Sequence, residues 1–323
     1  MSKRDILVFY PARPKAMAQL EETYTLHRLD EATDREAFLA EQGPKCVGAV
    51  TNGHAALTRD DLEHLPNLEI VACSSAGFDT IDVDSLKEAG VAFTNTSAAL
   101  YDDVADTALM LTLATRRHLV AGHAHVTSGA WGRDGPYPLL SNIRGKRAGI
   151  LGLGQIGDAI AARFLPMGLE IGYCNRRPKE CPWTYFPTPT ELAAWSDILV
   201  VVIPGGPETE ALVGREVIEA LGPEGTLINV ARGTVVDEPE MIAALRDGRL
   251  GNAGLDVFLN EPNPDLELTA LPNVTLYPHH ASGTVETRDA MAQLVVDNLK
   301  AHFAGRPLLT PVIEVAQARA ETV

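Results

Sequence analysis

The sequence predicts two doubly wound α/β domains, each built on a parallel sheet, with a cleft between them. The chain has 323 residues, which suits two domains of about 150 residues each. Short apolar runs alternate with helical patterns, and this β-α-β order makes consecutive strands parallel, with helices on both faces of the sheet. A glycine-rich stretch, residues 152–157, directly follows one of the apolar runs, as at the turn from a strand into a helix.

The N-terminal part of the chain predicts a first α/β unit. Apolar runs typical of buried strands lie at residues 6–10, 47–50, 70–73 and 91–94. Residues 35–41 and 84–89 between them have helical patterns. One long helix is predicted over residues 101–127, followed by a loop over residues 129–142 that is rich in Gly, Pro and Trp.

The β-α alternation then resumes and predicts a second unit. Its strands are expected at residues 147–151, 170–174, 198–203, 226–230, 252–257 and 274–277. A last helix is predicted over residues 284–304, with Thr284 as N-cap and Gly305 as its stop. We assign residues 1–97 plus 286–323 to a flavodoxin-like domain and residues 98–285, which contain the glycine-rich stretch, to the second domain.

Composition and charge exclude several classes of partner. The formal net charge is −16, which repels nucleic acid and anionic lipid, so we expect neither nucleic-acid nor membrane partners. An anionic substrate would therefore need positive charge concentrated in the cleft. The four cysteines have neither zinc nor disulfide-framework spacing, and no targeting segment is apparent. These features predict a cytoplasmic protein with reduced thiols.

The motif Gly152-Leu153-Gly154-Gln155-Ile156-Gly157 predicts a dinucleotide site in a Rossmann-like domain. Gly152 would allow the tight turn, Gly154 the approach of a pyrophosphate, and Gly157 close packing of helix on strand. Gln155 and Ile156 would open the helix whose N-terminal amides face the phosphates. The alternative is a glycine-rich turn that binds nothing, but the motif's place between a strand and a helix favours the dinucleotide.

The residues after the next strand predict the cofactor to be NADP(H). An NAD site usually has Asp or Glu there, to accept from the ribose 2′-OH. This chain has Asn175, Arg176 and Arg177 instead. Two guanidinium groups can bind a 2′-phosphate that a carboxylate would repel. The alternative is a solvated basic turn.

Three polar residues follow successive predicted strands of the second unit: Arg232, Glu261 and His279. An open α/β sheet binds ligands beyond the carboxyl ends of its strands. Histidine supplies an acid near neutral pH, and a carboxylate beside it fixes its tautomer. Each residue taken alone could be a solvated surface residue. The pair His279-His280 could also suggest a metal, but no carboxylate cluster accompanies it, so no metal is expected.

The chain resembles the D-isomer-specific 2-hydroxyacid dehydrogenase family, particularly its glyoxylate/hydroxypyruvate reductase branch. The matching stretches are residues 75–82, 95–96, 103–106, 152–157, 229–233, 254–262 and 278–284. They occur in the family's order over most of the chain. His280 and Ala281 depart from the family's more usual pair after the catalytic histidine.

The resemblance implies a role for each matched residue. Arg232 would bind the substrate carboxylate and carbonyl oxygen, His279 would donate the proton, and Glu261 would bond to the other ring nitrogen of His279. The implied substrate ligands further include the backbone amides of Ser75, Ala76 and Gly77. The implied cofactor contacts further include Asp256, at the nicotinamide carboxamide, together with Val230, Thr209 and Arg232.

The resulting prediction is an NADP-dependent reduction of glyoxylate or hydroxypyruvate to the D-2-hydroxy acid. The sequence leaves open 2-ketogluconate or aryl pyruvates as substrates, and a non-enzymatic, dinucleotide-sensing protein like the corepressors that share this fold. A homodimer is expected, with Trp131 near the interface and the partner's cleft, because large aromatics anchor interfaces. The alternative is that Trp131 packs beneath its own loop.

Overall fold

The computed structural model describes residues 3–314, and these divide into two compact units. The first contains the described residues up to Leu100 and those from Gly283 onward, and the second contains Tyr101–Ser282. No helix among the described residues is long and apolar enough to cross a membrane.

The strands alternate with helices along both units. The strands are β1 Asp5–Val8, β2 Thr25–Arg28, β3 Cys46–Thr51, β4 Ile70–Cys73, β5 Ala92–Thr94, β6 Arg147–Leu151, β7 Glu170–Cys174, β8 Thr184–Phe186, β9 Ile198–Val201, β10 Thr226–Asn229, β11 Asn252–Leu255, β12 Val274–Leu276 and β13 Pro311–Ile313. The helices are α1 Pro14–Thr23, α2 Arg35–Gln42, α3 Arg59–Glu63, α4 Val83–Glu88, α5 Tyr101–Arg116, α6 Leu119–Thr127, α7 Ala130–Asp134, α8 Gln155–Phe164, α9 Pro189–Trp195, α10 Arg215–Leu221, α11 Glu238–Asp247, α12 Leu266–Thr269 and α13 Val285–Phe303.

The first unit has a sheet of order β13-β5-β4-β3-β1-β2, parallel except for β13, which runs antiparallel to β5. Every residue of β4 is buried. Because side chains alternate along a strand, Val71 and Cys73 enter one apolar core while Ile70 and Ala72 enter the other, which α13 covers. Helix α13 is capped by the Thr284 side chain, which accepts from the Thr287 amide.

The second unit has an all-parallel sheet of order β12-β11-β10-β9-β6-β7-β8. The order reverses at β6, which lies between β9 and β7, and open α/β sheets bind ligands beyond the carboxyl end of such a strand. The predicted fold class, two parallel-sheet α/β domains, is confirmed.

The predicted helix over residues 101–127 is wrong in one respect: it is two helices, α5 and α6. His118 between them has a left-handed backbone (φ 45°), and its Nε2 lies 3.0 Å from Asn252 Oδ1. Arg116, at the end of α5, is buried and donates to Thr226 and Ser141. These side-chain bonds to distant parts of the unit end α5, where the local sequence has neither Gly nor Pro.

Other predicted elements also needed correction. The loop predicted over residues 129–142 contains the short helix α7, which begins after Gly129 at φ 73°. Five predicted strands extend too far at their C-terminal ends, because the polypeptide turns away there to form the loops at the sheet edge. In the structure β1 ends before residue 10, β9 before 203, β10 before 230, β11 before 257 and β12 before 277. Strands β2, β8 and β13 were not predicted; none is fully buried, so their apolar patterns are weak.

Candidate active site

The glycine turn joins β6 to α8 at the point where the strand order reverses. Gly152 has φ +108°, and a Cβ there would lie 2.7 Å from Val202 O, so only glycine suits the position. A Cβ on Gly157 would overlap Gly152 O, which keeps α8 close to the turn. A Cβ on Gly154 would meet nothing within 4 Å. The turn therefore leaves open space beside the N-terminal amides of α8, as a bound phosphate requires.

Asn175 holds this turn from the end of β7. Its Oδ1 accepts from the Leu153 amide (2.7 Å) and its Nδ2 donates to Leu153 O (3.2 Å). Lys179, which the sequence analysis did not single out, also donates to Leu153 O (2.7 Å). The backbone of Lys179 is fixed in turn by the hydroxyl of the buried Tyr173. The uncharged side chain of Asn175 therefore binds the backbone of the glycine motif.

Arg176 and Arg177 follow Asn175 and are both exposed. The Arg176 guanidinium lies 3.9 Å from the carboxylate of Glu208, and both side chains are highly exposed. Two cations without an acidic residue at position 175 fit a 2′-phosphate better than a ribose hydroxyl.

The other predicted cofactor residues lie around the same edge of the sheet. Tyr101 OH donates to the side chain of Gln155, and Ile156 is half-buried in the first turn of α8. Val230 is buried just after β10. The Thr209 hydroxyl donates to Pro204 O (2.8 Å) and Gly206 O (3.2 Å), so it stabilises its own loop.

Arg232 lies on the turn after β10. Asn229, almost fully buried at the end of that strand, accepts from the Ala231 amide (3.0 Å) and donates to Arg232 O (2.9 Å). Arg232 is half-buried, and one guanidinium nitrogen donates to Ala231 O (2.7 Å). The turn thereby presents a cation at the carboxyl edge of the sheet.

Glu261 and His279 come together although they follow different strands. His279 Nδ1 lies 2.6 Å from Glu261 Oε2, and each side chain is about one-third exposed. Glu261 Oε1 accepts from the Phe258 amide (3.0 Å). Because a carboxylate only accepts, Nδ1 carries the proton in this pair, and Nε2 is the nitrogen on the opposite side of the ring.

The charge state of Glu261 follows from its neighbours. Burial alone would raise the pKa of Glu261, but the hydrogen bonds from His279 and the Phe258 amide, with the charges of His279 and Arg232, hold that pKa below its ordinary value. Glu261 is therefore ionised at neutral pH.

Asp256 supports the histidine turn. It is 1% exposed, and its two carboxylate oxygens accept from the amides of His280 (2.8 Å) and Ala281 (3.1 Å). Its carbonyl accepts from the His279 amide (2.7 Å). Burial raises the pKa of Asp256, although the two amides oppose this. This supporting role was not predicted, because it depends on how the turns after β11 and β12 meet.

Ser75, Ala76 and Gly77 form a turn after β4 in the first unit. Ser75 Oγ accepts from the Gly53 amide (2.9 Å), and Ala76 O accepts from Asn95 Nδ2 (3.1 Å). The turn is therefore fixed by neighbours within its own unit.

Several apolar side chains on α5, α6, α7 and the loop after α7 are exposed. Trp131 is 62% exposed, so the alternative that it packs beneath its own loop is wrong. Further exposed apolar side chains are Met110, Leu119, Val120, Val126 and Leu139. We call this set, with Trp131, the apolar patch. Three of its members, with Tyr137, line a cavity of about 560 Å³.

Comparisons with known proteins agree with this arrangement. Residues 109–281 match the family described as D-isomer specific 2-hydroxyacid dehydrogenase, NAD binding domain. The chain is 46% identical to hydroxyphenylpyruvate reductase of Plectranthus scutellarioides, over 95% of this chain and 98% of that one. It is 44% identical to glyoxylate/hydroxypyruvate reductase A of Arabidopsis thaliana, over 97% of this chain and all of that one.

A solved structure extends the similarity to the fold. The NADPH-dependent glyoxylate/hydroxypyruvate reductase of Sinorhizobium meliloti, in complex with NADP and malonate, superposes with a TM-score of 0.88 at 40% identity, covering 97% of this chain and 98% of that one. These matches, together with the glycine turn and the residues that follow β10, β11 and β12, show that the chain belongs to the D-isomer specific 2-hydroxyacid dehydrogenase family.

Proposed function

We propose that this chain reduces glyoxylate or hydroxypyruvate to the D-2-hydroxy acid with NADPH. The observation that carries the proposal is the His279–Glu261 pair at the same sheet edge as Arg232, in a chain that belongs to this family. The chain is an oxidoreductase of the 2-hydroxyacid type, and its cofactor is NADP(H). Because His279, Glu261 and Arg232 together supply an acid, its carboxylate partner and a cation, we expect an enzyme rather than a non-catalytic sensor.

The reaction needs a hydride at the keto carbon and a proton at the carbonyl oxygen. When bound, NADPH supplies the hydride. His279 donates the proton through Nε2, while Glu261 holds Nδ1 and stabilises the imidazolium. Arg232 binds the substrate carboxylate and stabilises the negative charge that develops on the carbonyl oxygen.

The glycine turn and the basic residues beside it would hold the cofactor. The N-terminal amides of α8 would bind the pyrophosphate, and Arg176 and Arg177 would bind the 2′-phosphate. By the family resemblance, Thr209, Val230 and Asp256 would also contribute to the cofactor site. Asn175 acts indirectly, since its side chain is bonded to Leu153.

The first experiment is a panel of keto acids with NADPH, followed by loss of NADPH absorbance. We expect turnover of glyoxylate and hydroxypyruvate to exceed that of 2-ketogluconate and hydroxyphenylpyruvate in kcat/KM. A preference for either of the latter two would replace the proposed substrate by that one. Binding of NADPH without turnover of any of the four would contradict the enzymatic proposal and favour the non-catalytic sensor.

The second experiment separates the adjacent histidines. His279→Ala should abolish turnover while NADPH still binds, and His280→Ala is the matched control. His280 is exposed, and only its backbone amide binds Asp256, so its replacement should leave kcat within a few-fold. If His280→Ala is inactive and His279→Ala active, the proton donor is His280.

We further propose a cytoplasmic homodimer formed through the apolar patch, without nucleic-acid or membrane partners. The dimer is supported by the exposure of Trp131 and the other members of the apolar patch, since exposed apolar surfaces mark interaction sites. The net charge of −16 argues against nucleic-acid and membrane partners. Light scattering should give about twice the chain mass of 34.7 kDa. A mass near 34.7 kDa at micromolar concentration would contradict the dimer.

A further inference from the structure

We infer that Glu238 is a positioning residue that fixes Glu261 against His279. The catalytic consequence of this inference rests on the proposed function, whereas the contacts from which it is argued are independent of that function. Glu238 is the first residue of α11 and is only 4% exposed. A carboxylate this deeply buried is uncommon unless it binds a specific partner.

The partner of Glu238 is the turn that carries Glu261. Glu238 Oε2 accepts from the Leu259 amide (2.9 Å), and Glu261 Oε1 accepts from the adjacent Phe258 amide (3.0 Å). Two carboxylates therefore hold successive amides of one short turn. The remaining oxygen of Glu261 is the one that meets His279, so rotation of this turn would break the His279–Glu261 pair.

The segment between Arg232 and Glu238 contacts the same turn directly. A Cβ on Gly233 would overlap the carbonyl of Phe258 and crowd the Leu259 amide. The backbone after Arg232 thus lies against the backbone before Glu261. The Glu238–Leu259 hydrogen bond is a second contact between the same two segments. Glu238 consequently fixes the Glu261 turn relative to the turn that carries Arg232.

The surroundings of Glu238 disfavour a negative charge on its carboxyl group. Burial raises the pKa of Glu238, the Leu259 amide opposes this, and the charges of Asp265 and Glu261 raise it further. A negative charge at Glu238 is therefore unfavourable beside Glu261. A neutral side chain that still accepts from Leu259 should replace it, which defines the test.

The test compares Glu238→Gln with Glu238→Ala and Glu238→Asp. Gln keeps an oxygen that can accept from Leu259, Ala has none, and Asp is one methylene shorter and does not reach. We expect kcat to stay within about threefold in Glu238→Gln and to fall at least tenfold in the other two, with the KM for NADPH within twofold. Glu240→Ala is the matched control, because Glu240 lies on the same helix but pairs with Arg215 and Arg249; it should keep its kcat.

A double-mutant cycle shows whether Glu238 acts through Glu261. In a Glu261→Gln background, Glu238→Ala should reduce kcat by less than threefold further. A full tenfold loss in that background would overturn the inference, as would an unchanged kcat in Glu238→Ala. An equal loss in Glu238→Gln and Glu238→Ala would also overturn it. Because Asp retains a carboxylate, Glu238→Asp keeps the test available if the Ala variant does not fold.

A readout independent of turnover separates this inference from the proposed function. The Nδ1 proton of His279 should give a downfield NMR resonance that disappears in Glu261→Gln. Glu238→Ala should broaden or remove this resonance, and Glu238→Gln should preserve it. If the wild-type protein turns over no keto acid but the resonance behaves in this way, the proposed function fails and the positioning role stands. A resonance unaffected by Glu238→Ala refutes the positioning role.

Discussion

Removing Arg176 and Arg177 together should convert the preference for NADPH into indifference between the two nicotinamide cofactors. Neither arginine is part of the hydrogen bonds that hold the glycine turn, which come from Asn175 and Lys179. The Arg176→Ala/Arg177→Ala variant should therefore keep the pyrophosphate site and lose only the cations proposed for the 2′-phosphate.

The magnitude follows from the exposure of these side chains. A hydrogen bond to a charged group contributes about 1.5–3 kcal/mol, but Arg176 is 96% exposed, so solvent screening favours the lower end. Arg176 must also leave its ion pair with Glu208, 3.9 Å away, and an exposed pair contributes about 0–1 kcal/mol. The two arginines together should then contribute about 2–3 kcal/mol, or roughly 30- to 150-fold in Kd.

The assay is equilibrium titration of NADPH and NADH by protein fluorescence. The Kd for NADPH should rise by that factor, and the Kd for NADH should change less than twofold because NADH has no 2′-phosphate. Arg59→Ala/Arg306→Ala, which removes the same charge from exposed sites in the first unit, is the control for long-range electrostatics. Equal weakening of both cofactors, or a loss of NADPH affinity in the control as large as in the test variant, would refute the reasoning.

Three further predictions test other parts of the chain. Asp256→Asn places an amide NH2 group against one of the two backbone amides that bind a carboxylate oxygen in the wild type. Denaturant titration should therefore show a free energy of unfolding that is lower by about 1–3 kcal/mol. A decrease below about 0.5 kcal/mol would contradict the role of Asp256 in supporting the histidine turn. Burial raises the pKa of the Cys46 and Cys73 thiols to about 12, and it also raises the pKa of Cys174, whereas Cys181 is partly exposed. A chromogenic disulfide reagent at pH 8 should therefore titrate only Cys181 rapidly in the native protein, and rapid reaction of more thiols would contradict the burial. Trp131→Ala should lower the affinity of the dimer, as measured by sedimentation. It should also change the ratio of kcat/KM for hydroxypyruvate to that for glyoxylate. An unchanged ratio in a variant that is still dimeric would show that Trp131 does not contribute to the partner's active site.

Much of the fold could be predicted because most strands of a covered parallel sheet are apolar along their whole length. The strands at residues 70–73 and 170–174 were predicted with the bounds that the structure has. The half-exposed edge strands β2 and β8 lack that signal. The break at His118 was missed because its cause is tertiary: the polar side chains at the end of α5 bind distant parts of the unit.

The candidate site divides in the same way. Arg232, Glu261 and His279 could be selected because each follows a strand that the apolar pattern locates. Their supporting contacts could not, since nothing local in the sequence relates Glu238 to Leu259 or Asp256 to the His280 amide. Asn175 illustrates the difference: its identity predicted the cofactor, but its side chain binds Leu153, and a phosphate-binding role for that side chain would require this bond to break.

The supporting contacts explain how residues on surface turns can hold a reactive geometry. Catalysis requires groups held to within about 0.5 Å, yet loops are ordinarily the most mobile parts of a fold. Here each turn is tied by a buried polar side chain: Asn229 binds the turn of Arg232, Glu238 that of Glu261, and Asp256 that of His279. These three side chains are at most 4% exposed, so water competes little for their hydrogen bonds. The turns of the proposed active site are therefore fixed at the sheet edge, and a replacement that removes the hydrogen bond of any of the three should lower kcat without removing a group that touches the substrate.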